Sequence, residues 1–504
     1  MGSTDASPQP PSPPGVPPPI GGLGNYLKFF SSIVLPMFLA IVDQTIVAAA
    51  LPAIAGEFGH VDRASWVVIS YLVAATIAAP VYGRLGDLLG RRRLMFVALT
   101  IFMVAGVLCA VSTSIEMLSL ARILQGLGAG GLMTLSQALI GETVPPRDRA
   151  RYQGVLATVG VSSGAFGAVA GGFLTQSFGW RSIFLVGIPV ALVAMILVRR
   201  LPIRPGTGDP FRFDGFGLLL FALFIISSLA MLHGVQHLSL ALAPMLGTLL
   251  VVSVVAVVLL IWWEKRASHP LLPIPLLRNS TIWRSDALAA CHGGLLISLI
   301  TFLPIYLRVA YGSSAGTIGL VLLPVAVGVS IGSMITGWMV SRTGRTAIFP
   351  SVSLVFVSAS LLLIAAFAPT LTLLQLAIAL GINSLFLGSV MTVVQITVQN
   401  TAPQGMLGTA AASVQFSRSL GSALGTAVVG SVIFMNLALA DPESGRLFAS
   451  IVQGGPEVLD ALAPARQMVV AREIGRAFQA AFFAMAGMSV AALLLAWSIP
   501  MRRI

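Results

Sequence analysis

The sequence predicts an all-α polytopic membrane protein with two parallel six-helix halves and two further helices inserted between them, fourteen transmembrane helices in all. Three observations predict it. Of 504 residues, 57% are hydrophobic and only 9% charged, with a mean hydropathy of +0.95; a soluble chain of this length needs more polar surface than that. The apolar residues gather into fourteen runs of membrane-spanning length, at roughly 29–51, 66–82, 94–113, 117–140, 153–176, 181–199, 214–233, 240–263, 284–307, 317–340, 346–368, 371–398, 406–435 and 475–498. A loop pattern also occurs twice. Gly83-Arg-Leu-Gly-Asp87-Leu-Leu-Gly90-Arg91-Arg92-Arg93 returns as Gly337-Trp-Met-Val-Ser341-Arg342-Thr-Gly344-Arg345, with Gly83 and Gly337, Gly90 and Gly344, and Arg91 and Arg345 each 254 residues apart.

In chain order, residues 1–25 form a proline-rich, low-complexity tail that cannot build a core and is expected to be disordered and cytoplasmic. The first apolar run starts near Phe29 and is too long for a cleavable signal. Residues 26–200 hold the N-terminal six-helix half. Residues 201–270 are a linker carrying the two inserted helices, and residues 271–504 form the C-terminal half, with an external loop at 436–474. The duplication reaches past the opening loop. Met133-Thr134-x-x-Gln137, followed by Thr143 and Pro145, returns 258 residues later as Met391-Thr392-x-x-Gln395, Thr401 and Pro403, and Gly167 and Gly172 map onto Gly425 and Gly430. Runs two to five thus match runs ten to thirteen in the same membrane direction, as in transporters whose halves are related by an axis along the membrane normal. Within the external loop, Glu457 to Ile474 alternates apolar and charged residues with helical character; a surface helix and a plain covering loop both fit.

The formal charge of +12 could suggest nucleic acid, but the basic residues sit in short loops between apolar runs. With the N-terminus inside, 20 Lys/Arg fall on the cytoplasmic side and seven outside, and Arg122 and Arg418 lie within runs. This is the positive-inside bias of a multi-pass protein of the cell (inner) membrane with both termini cytoplasmic. The lipid bilayer is the partner it implies, and nucleic acid is not one. Cys109 and Cys291 fall in apolar runs and are expected as free thiols. His233 and His237 have i, i+4 spacing but no third ligand nearby, so no metal site is expected. No P-loop and no G-x-S-x-G is present, so an ATP-driven pump or a membrane hydrolase lacks its parts, and the chain is not expected to be an enzyme.

Asp43 is the first candidate functional residue. Of the 17 acidic residues it alone lies well inside an apolar run, whereas Glu142, Asp214 and Asp286 are placed near cytoplasmic ends. A carboxylate at that depth is costly unless it faces a partner or a water-filled cavity. Arg122, in the fourth run, sits at a compatible depth and is expected to modulate Asp43 by approaching and leaving it. Fixed structural bonding is the alternative for both. Gly160 to Gly172, including Gly164, Gly167, Gly171 and Gly172, forms a small-residue face suited to close helix packing or sliding. Under the repeat, Arg418 falls opposite Gly160, so that face is not preserved in the second half. Gly83 and Gly90 let the helices on either side of the basic loop approach closely, and Arg91 and Arg92 hold that loop on the cytoplasmic side.

These residues together resemble the major facilitator superfamily, and within it the fourteen-helix drug:proton antiporters of multidrug-exporter type. The Gly83–Arg92 stretch is similar to the superfamily's loop motif between helices 2 and 3. Asp43-Gln-Thr45-Ile-Val-x-x-Ala-Leu51-Pro52 is similar to the helix 1 motif of the fourteen-helix branch. Arg122-x-x-Gln125-Gly126-x-Gly128 resembles the helix 4 motif linked to proton coupling, which brings in Gln125. Trp180-Arg181-x-Ile-Phe184 with Pro189 resembles the start of helix 6. Two positions depart from the pattern: the helix 5 antiporter motif reads Gly167-Ala168-Val-Ala-Gly171-Gly172 without its proline, and Gly187 stands where Asn is common. The resemblance implies that Asp87 caps a facing helix end and locks an inner gate, with Arg91 reinforcing it.

The expectation is a secondary transporter that exports small amphipathic compounds such as drugs by alternating access, in exchange for protons. Asp43, Arg122 and Gln125 would handle the proton or substrate, and Gly83, Asp87, Gly90, Arg91 and Arg92 the gate. The proton gradient stands in place of a cofactor. An exporter of a lipid, siderophore or other metabolite is the alternative within transport, and a non-transporting membrane sensor or scaffold the alternative from another class. A periplasmic adaptor protein stays open as a partner, because family members in double-membraned bacteria can use one.

Overall fold

Backbone in hydrocarbon has no water to bond and must satisfy its own polar groups, so long apolar runs fold as helices. The structure is a computed structural model describing residues 23–58, 61–202, 214–235, 243–267, 270–271, 274–313, 315–368, 370–440, 447–448 and 463–503. Its helices are α1 (Leu23–Phe58), α2 (Val61–Leu89), α3 (Arg91–Ala110), α4 (Ile115–Thr143), α5 (Pro146–Phe178), α6 (Ser182–Leu185), α7 (Gly187–Val198), α8 (Gly215–Val235), α9 (Ala243–Glu264), α10 (Ile274–Arg278), α11 (Ser280–Tyr311), α12 (Ala315–Thr343), α13 (Ile348–Phe367), α14 (Leu373–Thr401), α15 (Leu407–Ala440) and α16 (Pro464–Ser498). Among the described residues twelve helices are long and apolar enough to cross a membrane, and the shorter apolar stretches Ser182–Val198 and Gly215–Met231 bring the number to fourteen.

Several helices outrun their apolar cores, because the i to i−4 ladder continues wherever no residue breaks it. Thus α1 runs to Phe58, and α16 opens at Pro464 with proline in its first turn, eleven residues before the apolar run. The external loop is correspondingly shorter than 436–474. One described piece of it places buried Phe448 against Phe434 and Phe478, at ring-centroid distances of 5.5 and 6.1 Å. The remaining loop positions (Arg446, Glu457), the tail to residue 22, Arg204, Arg212 and His237 lie outside the described residues.

The duplication is visible in the helix bounds. α2 and α12 are offset by 254 residues at both ends, and α4 and α14 by 258 at both ends. Even the caps repeat: the Ser114 hydroxyl accepts the Met117 N–H at the start of α4, and Thr372, 258 residues on, forms a capping box with Gln375 at the start of α14. Gly90 and Gly344, which end α2 and α12, both have positive φ, 91° and 66°. Glycine is needed there because a Cβ strains that backbone conformation.

One apolar core runs through α1–α5 and α7, with Ile33, Met95, Leu99 and Phe102 at its centre, and another through α11–α16, with Tyr306, Phe478 and Phe482. The inserted pair has a small core of its own, Leu220, Phe221, Ile225 and Leu260, which packs on Val73, Ile77 and Val81 of α2 and on Phe416 of α15. It therefore lies over the seam between the two larger bodies. Asp214 starts α8: its Oδ1 accepts the Gly217 N–H at 2.8 Å and the Trp263 Nε1–H of α9 at 2.9 Å. Asp214→Ala is expected to cost about 1 kcal/mol. It should show as faster amide exchange over residues 214–218 with transport retained.

Candidate functional site in the membrane interior

Four helices, α1 to α4, converge on one buried cluster. On α4, Gly126 and Gly130 face the α2 backbone so closely that a Cβ on either would strike the carbonyl of Tyr71 or Ala75. That approach draws α4 onto α2 and seats Arg122, which has no exposed surface, beneath α1. Its Nη1 donates to Asp43 Oδ2 at 2.5 Å and to Gln125 Oε1 at 2.8 Å, and its Nε donates to the Val67 carbonyl at 3.2 Å. Gln125 Nε2 donates to the other Asp43 oxygen at 2.8 Å, closing the triangle. The guanidinium also lies 4.0 Å from the Tyr71 ring centroid, and Tyr71 Oη donates to the Ala40 carbonyl at 2.8 Å. Cys109 Sγ reaches Gln125 Oε1 at 3.4 Å. Both cysteines are free.

The structure therefore brings Asp43, Arg122 and Gln125 together, and among the described residues every polar donor to Asp43 comes from the first half of the chain. A buried charge is tolerable when paired and hydrogen-bonded in this way. Arg122 Nη2 alone has no hydrogen-bond partner. The triangle ties α1 to α4 through a buried carboxylate whose two oxygens are both hydrogen-bonded.

The second constellation lies at the end of the bundle that carries the Gly83–Arg93 loop, here called the basic end. Asp87 is buried, and its carboxylate accepts the Gly408 N–H at 2.9 Å, the Thr409 N–H at 3.1 Å and the Thr409 hydroxyl at 3.2 Å. These amides open α15, where the helix dipole favours an anion. Arg91 Nη2 donates to Asp87 at 2.6 Å, and its Nη1 pairs with Glu142 of α4. Gly83 abuts Gly408, and Gly337, its copy, abuts Ala150 of α5, 258 residues before Gly408. The two contacts are symmetry mates. The acid is not duplicated, because Ser341 stands where the repeat would place it. Arg149 works on that side instead, donating to Asn400 Oδ1 at 2.5 Å, while Gln399 donates to the Gln137 carbonyl at 3.0 Å. Arg92 bonds the Leu201 carbonyl at 2.7 Å, just past the end of the first half, rather than crossing to the second.

Of the small-residue face on α5, Gly167 and Gly171 press against the α1 backbone at Val42, the residue before Asp43, and at Ile46, three residues after it. Gly164 has only Thr45 Cγ2 within reach, at 3.9 Å, and Gly172 has nothing. The face is thus a docking strip for α1 at two positions of the four.

Sequence reasoning missed a group in the second half. Asp286 had been placed at a helix end, but α11 begins at Ser280 with Asn279 as its cap, so Asp286 lies about two turns in and is buried. Its Oδ1 accepts from the Ser413 hydroxyl of α15 at 3.3 Å. His292, about two turns further, is 4% exposed and neither ring nitrogen has a partner. The Asn279-Ser-Thr cap and a histidine inside an apolar run were the available signals.

A sequence profile described as Major Facilitator Superfamily matches residues 33–426. The chain belongs to the major facilitator superfamily. Among curated superfamily members it is 35% identical over 409 residues to the uncharacterized MFS-type transporter Rv1877 of Mycobacterium tuberculosis H37Rv, covering 81% of this chain and 59% of that protein, so it spans about three fifths of that relative's length. It is 30% identical over 405 residues to the multidrug transporter protein MdtP of Bacillus subtilis 168, covering 80% and 74% of the two chains. The solved structure of the proton:xylose symporter XylE superposes with a TM-score of 0.62 at 16% identity, over 94% of this chain and 96% of that one, which shows a shared major facilitator fold.

Proposed function

We propose that the chain is a proton-coupled exporter of small amphipathic compounds, working by alternating access in the cell (inner) membrane with both termini and the basic end cytoplasmic. The observation that carries this is the enclosed Asp43–Arg122–Gln125 triangle. It is an acid whose bonds all come from one half, at a depth where only a moving helix or entering water can change its charge. The Bacillus subtilis relative MdtP, a multidrug transporter protein by name, supports amphipathic cargo. The domains follow the same scheme: 26–200 and 271–504 rock against each other, the inserted helices within 201–270 ride on the seam, and the Gly83–Arg92 contacts seal the inner side. The gradient of protons drives the cycle with no cofactor, and a periplasmic adaptor protein is compatible with it.

The test is uphill transport in proteoliposomes with an imposed proton gradient, using fluorescent cationic, neutral and anionic amphipaths. Accumulation of at least one compound against its gradient, collapsing with a protonophore, is the expected result. Equilibration that ignores the proton gradient would overturn antiport.

A further inference from the structure

In α15, Arg418 lies about 16 Å along the helix from its basic end, and His292 about 18 Å along α11 from the same end, at 1.5 Å per residue. Both are therefore near mid-membrane. The two helices touch there: the space where a Cβ on Gly293 would sit is filled by the Arg418 carbonyl and by its Cγ, 3.1 Å away. The one hydrogen bond of the Arg418 guanidinium among the described residues is a long one, Nη2 to Gln415 Oε1 at 3.4 Å. Gln415 in turn reaches Met133 Sδ on α4 of the first half at 3.8 Å, so this face of α15 looks across the seam between the halves.

The charges around the seam do not balance. Asp43, with both oxygens taken, is neutralised by Arg122 within the first half. Asp286 stays nearer the basic end, where its Oδ1 accepts from the Ser413 hydroxyl, and among the described residues it forms no ion pair with Arg418. Among the described residues this guanidinium has no carboxylate partner, and the helix packed against Arg418 carries a buried imidazole whose two nitrogens have no partner, an expensive arrangement for a purely structural role. An incoming anion removes that cost, because guanidinium binds carboxylate or sulfonate in a bidentate, charge-assisted fashion.

We infer that Arg418 and His292 form the polar end of a substrate site for amphipathic organic anions, a singly charged carboxylate or sulfonate on an apolar body. This rests on the exporter reading and narrows its cargo. His292 donates a second hydrogen bond to the anion, and Gln415 orients the guanidinium.

The probes are 2-naphthoate, 2-naphthamide and 2-naphthylmethylammonium, identical in apolar body and differing in charge. Binding is measured by equilibrium dialysis to the full chain in phosphatidylcholine nanodiscs, where no anionic lipid competes. Naphthoate is expected to bind roughly tenfold or more tighter than naphthamide, a preference lost in Arg418→Gln and partly kept in Arg418→Lys. Unchanged naphthamide binding shows that the variants fold. Naphthoate binding no tighter than naphthamide, including no binding at all, overturns the inference, as does an unchanged preference in Arg418→Gln. Proton-driven transport of the same probes separates the two readings: transport without charge preference leaves the exporter and sinks the anion site, whereas charge preference without uphill transport does the reverse.

Discussion

Asp43→Asn is expected to abolish substrate-evoked proton release from the purified protein while leaving it folded and able to bind ligand. Asparagine keeps the size of the side chain and an oxygen to accept from Gln125, but it removes the titrating group. It also removes the counter-charge of Arg122, which has no other carboxylate within its hydrogen bonds. Breaking a buried pair from one side typically costs about 3–5 kcal/mol. Asp43→Ala should show that full loss as a lower unfolding temperature, and Asn a smaller one because hydrogen bonding survives. The double variant Asp43→Asn, Arg122→Gln should be more stable than either single variant suggests, since no unpaired charge remains. Release of protons undiminished in Asp43→Asn would remove Asp43 from the coupling mechanism. Stability without coupling in the double variant would separate the triangle's chemistry from its packing.

Asp43 and Arg122 were legible because an apolar run makes a charge conspicuous and two charges at matching depth invite pairing. Gln125 came only with the motif, since an amide in a helix carries no such cost by itself. The repeat was legible in position, and it carries through to the helix bounds, to the caps at Ser114 and Thr372, and to the left-handed glycines Gly90 and Gly344. What the linear pattern does not carry is which group answers across the seam. Asp87 finds its amides 321 and 322 positions away, and Arg149 finds Asn400 at a separation of 251. No local periodicity encodes that. Asp286 was misplaced for a different reason: hydropathy marks where side chains become apolar, whereas the helix starts at its cap, Asn279, five residues earlier than the apolar run. Lipid-facing helices make this worse. Leu320 and Val169, 70% and 75% exposed, read in sequence like core residues.

Gly83→Val and Asp87→Asn are both expected to open the basic end, by different physics. A Cβ on Gly83 would sit 2.6 Å from the Gly408 carbonyl oxygen and 2.9 Å from Ala412 Cβ, so valine must push α2 away from α15. Asp87→Asn leaves the space unchanged but weakens the bonds to the two amides that open α15 and to Arg91. Charged hydrogen bonds of this kind contribute about 1.5–3 kcal/mol, which shifts a two-state gate by roughly 10- to 150-fold. Hydrogen–deuterium exchange should then rise at residues 83–90 and 404–412 in both variants, with the opposite ends of α2 and α15 unchanged. Arg91 supplies a further check, because it bridges Asp87 to Glu142 on α4. Arg91→Gln should raise exchange in the same segments by less than Asp87→Asn does, since the amide contacts of Asp87 survive. Exchange that rises evenly along α2 and α15 would mean that these residues hold the whole interface rather than one end. A gate needs the asymmetry: the halves must part at the basic end while the opposite ends of α2 and α15 stay together.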